Sequence, residues 1–135
     1  MFPRLAHTMI RVRDHEASLA FYVNTLGMRV LRSTRYEQGR FTNTFVGYGS
    51  EVTDTVIELT WNWDRVEPYE LGSAWGHLAL EVEDVYGFVQ GLRAQGVQVV
   101  REPGPMAGGN RVIAFIADPD GYRIEIVQPV PAEAP

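Results

Sequence analysis

The chain has no cysteine, which removes disulfides, thiolate nucleophiles and thiolate-held metals together. Any metal must sit on His, Asp or Glu. Lysine is missing too. All 12 basic residues are arginine; they are scattered rather than striped, and against 17 carboxylates they leave a net charge of −5. That gives no electrostatic footprint for nucleic acid, although arginine suits bidentate recognition of carboxylates. No run approaches the roughly 18 consecutive apolar residues of a membrane span, and the N-terminus has no basic-then-apolar leader pattern. The expectation is a soluble, cytoplasmic protein with neither nucleic-acid nor membrane partners.

At 135 residues, 45% of them apolar, the chain is long enough to bury a core as one domain. Its most legible stretch is Val112 to Val127. Two runs rich in β-branched and aromatic residues flank Asp118-Pro119-Asp120-Gly121. Proline presets φ there and glycine can take φ > 0, so the stretch predicts a hairpin. Along its second strand Tyr122, Ile124 and Ile126 face one way, and Arg123, Glu125 and Val127 the other.

In chain order, His7 to Val12 alternates as a strand, Asp14 is a helix N-cap, and Leu19, Val23 and Leu26 form a helical stripe stopped by Gly27. Met28 to Leu31 reads as extended and Arg32 to Arg40 as a polar passage. Phe41 to Tyr48 and Thr55 to Trp61 read as strands, with Val56, Glu58, Thr60 and Asn62 sharing a face. The second half repeats this. His77 to Val82 is a strand, Asp84 the cap, and Val85, Phe88, Val89 and Leu92 the stripe before Gly96. The offset is 70 residues at the histidine and the cap, and 69 at the glycine. Val97 to Val100 then reads as extended and Glu102 to Gly109 as a Pro/Gly loop. Each half is β-α-β-β-β, an internal duplication that organises the whole sequence. The expected fold class is α+β, two tandem β-α-β-β-β modules of mixed sheet with helices on the outer face. The boundaries are about 5–62 for module 1, 63–75 for the connection and 76–128 for module 2, followed by a frayed tail, 129–135.

The duplication also carries titratable groups. A histidine opens the first strand of each half and a glutamate stands centrally in the last, His7 with Glu58 and His77 with Glu125. Taken singly, each is an ordinary surface residue. Recurring in register, two imidazoles and two carboxylates describe a metal site of mixed N and O ligands, compatible with Zn, Ni, Co or Fe. His15 has no counterpart, since position 85 is valine, and is expected at the surface. Trp61, Trp63, Phe41 and Phe45 are candidates for core or pocket wall.

The stretches HTMIRVRD, FYVNTLGMRVLR, FVGYG, VIELTWNW, YELGSAWGHLAL, REPGPMAGG and VIAFIADPDGYRIEIV closely resemble the short bacterial form of the glyoxalase I (lactoylglutathione lyase) family, within the vicinal oxygen chelate superfamily. The resemblance covers nearly the whole chain. It implies metal ligands at His7, Glu58, His77 and Glu125, the set reached from the duplication. It implies a homodimer whose sites lie at the subunit interface with ligands from both chains, and a divalent ion, Ni2+ or Co2+ rather than Zn2+. The implied reaction isomerises the methylglyoxal–glutathione hemithioacetal to S-D-lactoylglutathione, a methylglyoxal detoxification. Glutamate shuttles the proton through a metal-bound enediolate, with Glu125 the usual base and Glu58 its symmetry mate. Arg11, four residues beyond His7 on the same face and roughly 13 Å along the strand, is implied at the γ-glutamyl end together with Asn62. At the glycine end, relatives often carry lysine where this chain has Ala107, leaving Arg101, or secondarily Arg111, for that carboxylate.

Two other readings stay open on the residues alone. A superfamily dioxygenase would keep two histidines and one carboxylate on Fe(II), and Glu58 argues against it. A metal-free binding protein of the same paired modules has no need of four ligands.

Overall fold

The computed structural model describes residues 1–132. Of the expected frayed tail, 129–132 lack helix and strand, and 133–135 lie outside the described residues. The chain divides into two compact units, Met1–Glu70 and Leu71–Pro135, the break falling within the segment expected as a connection.

In the first unit, β1 (His7–Val12) leads to Asp14, whose side chain accepts from the Ala17 amide at 3.1 Å and caps α1 (His15–Leu19). The helix then widens into a π-helical segment, Ala20–Thr25, with Leu26 N donating to Phe21 O at 2.9 Å. Gly27, at φ 78, turns the chain out. The expected stripe is displaced. Ser18, Phe21, Tyr22 and Leu26 are buried, while Leu19 and Val23 are only half-buried. A π turn takes up one more residue than an α turn, so the buried face rotates away from the 3.6-residue stripe.

Strands β2 (Arg29–Tyr36), β3 (Phe41–Gly47) and β4 (Val56–Asn62) complete a sheet of order β1-β4-β3-β2. β1 runs parallel to β4, and the other two pairings are antiparallel. The passage Arg32 to Arg40, expected as polar, is strand as far as Tyr36 and turn beyond it. β2 is the sheet edge and nearly all of it is exposed, so it carries the charges that guard an edge rather than an apolar period. One face of this sheet holds the core: Ile10 registers with Leu59, and both are buried with Val12 and Val46. The opposite face presents His7, Met9 and Arg11 from β1, and Glu58, Thr60 and Asn62 from β4.

The second unit repeats the order with β5 (Leu78–Glu81), α2 (Val85–Ala94), β6 (Gln98–Pro105), β7 (Val112–Ala117) and β8 (Arg123–Val127). The sheet order is β5-β8-β7-β6, again with one parallel pairing, β5 with β8. Asp84 caps α2 by accepting from the Gly87 amide at 3.1 Å. The helix buries Val85, Val89 and Leu92 and packs on β6 and β7. β6 runs farther than the Pro/Gly content suggests, through Pro103 and Pro105. It is an edge strand with register shifts between Val99 and Arg101 and between Arg101 and Gly104, the places where prolines that lack an N–H are tolerated. Arg101 clasps this bulge: Nη1 donates to the carbonyls of Gly104 (3.0 Å) and Ile113 (2.9 Å), and Nη2 to that of Pro105 (3.0 Å). The hairpin between β7 and β8 forms as expected. Asp118 Oδ1 accepts from the Asp120 and Tyr122 amides at 3.0 and 2.8 Å, and Gly121 takes φ 92.

Candidate metal centre

In each unit the parallel strand pair brings one histidine against one glutamate. His7 Nε2 lies 3.2 Å from Glu58 Oε2, and His77 Nε2 lies 3.7 Å from Glu125 Oε2. The glutamate side chains are 14% and 19% exposed and the histidines 40% and 42%, so each carboxylate is walled in while its imidazole faces open space. The wall is also repeated. Phe45 registers with Glu58 and meets His7 edge-on at 5.3 Å; Phe115 registers with Glu125 and meets His77 edge-on at 5.1 Å. These two phenylalanines share one role, although they stand at different distances in sequence from their glutamates. Only the strand register makes the equivalence visible.

Among the described residues no group of three or more His, Asp or Glu side chains gathers closely enough to hold an ion. Each unit offers two ligands. Their chemistry fits a borderline divalent ion, imidazole nitrogen beside carboxylate oxygen. So does their spacing, since two ligands about 2.1 Å from one ion and at right angles stand about 3 Å apart.

The other sequence candidates are dispersed. Arg11 and Asn62 share the His7–Glu58 face by register, and Asn62 Nδ2 donates to Tyr69 OH at 3.0 Å. Arg101 is held by backbone carbonyls, as described, and Arg111 likewise donates from Nε and Nη2 to Gln128 O at 3.2 and 2.7 Å. Trp61 lies on the core side of the first sheet and, with Trp63 and His15, lines a hollow of about 550 Å³. Trp63 Nε1 donates to buried Thr42 Oγ1 at 2.8 Å. Phe41 stacks on Tyr36 at 4.6 Å. One residue not singled out in sequence joins the site wall: the Arg32 guanidinium lies 3.8 Å above the Phe45 ring and its Nε donates to both Glu51 carboxylate oxygens. Its strand had no apolar period to reveal which way it faced.

His15, expected at the surface, is half-buried. Its ring stacks on Trp61, centroids 5.2 Å apart and 4° from parallel, and Nε2 is 2.9 Å from Thr44 Oγ1, which bonds in turn to Ser33 Oγ at 2.8 Å. Burial pushes its pKa below the ordinary imidazole value, outweighing the opposing carboxylates of Glu16 and Asp14. The depressed value sets the sign of the pH dependence. Below about pH 6.5 the unfolded chain binds a proton that the folded chain resists, so His15 costs stability as pH falls through that window. Denaturant midpoints from pH 7.5 to 5.5 are expected to fall less in His15→Gln than in the wild type. Parallel slopes would contradict this.

Residues 4–126 match the Glyoxalase/Bleomycin resistance protein/Dioxygenase superfamily. A lactoylglutathione lyase of Neisseria meningitidis is 57% identical over 125 residues, 93% of this chain and 90% of that one. The chain belongs to the glyoxalase I family. It is an enzyme of the lactoylglutathione lyase class, and its two sheets with outer helices are the family's paired modules. The trypanothione-dependent glyoxalase I of Leishmania major superposes with a TM-score of 0.84 at 42% identity, covering 94% of this chain and 87% of that one. Glyoxalase I from maize superposes at 0.89 with 38% identity over 96% of this chain. The chain spans only 46% of the maize chain's length.

Proposed function

We propose that the protein isomerises the hemithioacetal of methylglyoxal and glutathione to S-D-lactoylglutathione, with His7, Glu58, His77 and Glu125 holding one divalent ion per site. The carrying observation is the duplicated pair, each glutamate enclosed beside a histidine and a phenylalanine edge. By resemblance to the family the complete set comes from a homodimer, one protomer supplying His7 and Glu58 and its partner the second pair. The open histidine-bearing face of each unit supports that arrangement. Ni2+ or Co2+ is the proposed ion, by resemblance to the short form. The proposed setting is the cytoplasm, and no helix among the described residues is long and apolar enough to cross a membrane.

An ion held by His7, Glu58, His77 and Glu125 would supply Lewis acidity to the substrate. The chain's own groups do the rest. Glu125 removes the proton from the carbon bearing sulfur and hydroxyl and returns it to the adjacent former carbonyl carbon, while the hydroxyl proton passes to the neighbouring oxygen, which leaves a thioester and a new alcohol. No oxidant or co-reactant is needed, because two protons and one electron pair are only redistributed within the substrate, one proton between the carbons and one between the oxygens. The phenylalanine walls limit water around each glutamate, which favours return of the same proton over its loss. Arg11 and Asn62 hold the γ-glutamyl end. The test is the product: metal-loaded protein given methylglyoxal and glutathione accumulates the D-lactate thioester. Consumption without thioester, or none with any ion, would contradict the proposal, and parallel assays with other thiols address Ala107.

A further inference from the structure

The hollow of about 550 Å³ in the first unit takes no part in the chemistry above. Strand alternation turns its wall residue Trp61 to the face opposite Glu58, so it opens on the helix side of the sheet. It lies between the β1–α1 connection, with Arg13, Asp14 and Glu16, and the chain leaving β4, with Trp63 and Arg65. Those are the carboxyl ends of two parallel strands, where α/β sheets collect ligands, and the volume suits a small molecule.

Charges of both signs line the hollow without cancelling each other. Among the described residues neither Glu16 nor Arg65 forms an ion pair. Arg65 is fixed in place all the same: Nε donates to Glu67 O and Nη2 to Pro68 O, both at 2.7 Å, and the guanidinium lies 4.3 Å from the Tyr69 ring centroid. Held by carbonyls and a ring, it keeps its charge for another partner. The wall is aromatic. The Trp61 and Trp63 centroids are 6.3 Å apart with planes tilted by 45°, and His15 stacks flat on Trp61. Tilted indoles offer a third ring both offset and edge-on contact.

The duplication shows that the fold itself does not require this cluster. At the 70-residue offset Arg13, His15 and Glu16 correspond to Glu83, Val85 and Tyr86; counted from the paired glutamates, Trp61 and Trp63 correspond to Gln128 and Val130. Val85 is fully buried, as is Ala114, the counterpart of Thr44. Two buried apolar positions of the second unit are thus the hydrogen-bonded His15–Thr44 pair in the first. Polar groups are harder to bury than apolar ones, and the second unit builds the same module without them. The differences converge on one hollow.

We propose that this hollow is a second ligand site, separate from the metal ligands, that takes a small aromatic amino acid as its zwitterion. The ring lies on Trp61 and Trp63, the carboxylate on Arg65 and the ammonium on Glu16. A guanidinium fork matches a carboxylate, and an ammonium near indole faces gains a further attraction. A ligand carrying both charges satisfies both unpaired groups. A simple anion would face Glu16, and a simple cation Arg65.

The test titrates L-phenylalanine into the full chain, followed by calorimetry and by the indole N–H resonances in NMR spectra. One molecule per chain is expected to bind with a Kd of about 1 mM or tighter, shifting Trp61 and Trp63 but not Trp75. Phenylpropanoate lacks the ammonium and phenethylamine the carboxylate; each should bind roughly tenfold more weakly or worse, the scale of one lost charge-assisted contact. Arg65→Gln should weaken phenylalanine by a similar factor and leave phenethylamine unchanged. Glu16→Gln should weaken phenylalanine and leave phenylpropanoate unchanged. Both side chains are exposed, and a general loosening of the fold would not produce that crossed pattern. Absence of phenylalanine binding at about 10 mM, equal binding of the three ligands, or losses that do not follow the missing group would overturn the site. So would phenylalanine binding that saturating glutathione abolishes, which would move it to the substrate face.

Discussion

Replacing Glu125 by glutamine is expected to lower kcat by roughly 10²- to 10⁴-fold, the range a positioned acid–base group supplies, with little change in KM. Glutamine keeps the size of the side chain and one ligating oxygen but cannot accept the proton, so metal content at saturating ion should persist while turnover is lost. Glu58→Gln is expected to cost less. The two pairs differ in a way that supports this ranking: His7 and Glu58 stand 3.2 Å apart, His77 and Glu125 3.7 Å. The Arg32 guanidinium, held over the Phe45 ring, also interacts with the Glu58 carboxylate. Glu125 has the looser engagement and is the carboxylate better able to swing toward the reacting carbon. Steady-state kinetics on both variants, with metal content measured on the same samples, check the assignment. Equal losses would make the two glutamates share the shuttle, and a larger loss at Glu58 would reverse it.

Much of this arrangement was legible in the sequence because duplication repeats a signal that would be weak if met once. A strand-start histidine and a polar-face glutamate say little alone, but at a 70-residue offset in matched strand contexts they mark one site twice. The caps at Asp14 and Asp84 and the turn at Asp118 were readable for a local reason: each is a short-range contest between side chain and backbone.

What escaped depended on neighbours distant in sequence. The extent of β2 was hidden because an edge strand carries no apolar period, and that of β6 because bulges admit the prolines that usually end a strand. The shifted helix face followed from the π turn between Ala20 and Thr25, which residue spacing does not encode. His15 looked solvated because its partners, Trp61 and Thr44, arrive from other strands. Arg101 and Arg111 are the sharpest case. Both were implied as partners for a carboxylate, and only the backbone carbonyls around them show that each already has a structural task.

The most direct test of the central claim is metal removal and replacement. Wild type, His7→Ala and His77→Ala are stripped of metal, each is supplied with Ni2+, Co2+, Zn2+, Mg2+ or no ion, and both bound metal and hemithioacetal isomerisation are measured. Each histidine is one of four proposed ligands and comes from a different unit, so either substitution should weaken ion binding at least as much as loss of a supporting contact does, about 10- to 100-fold. Both substitutions should do so to a similar degree. The account requires no turnover in the stripped wild type, recovery with Ni2+ or Co2+, and loss of binding and turnover together in both variants. Full activity without any ion, or a variant that binds metal like the wild type, would contradict it.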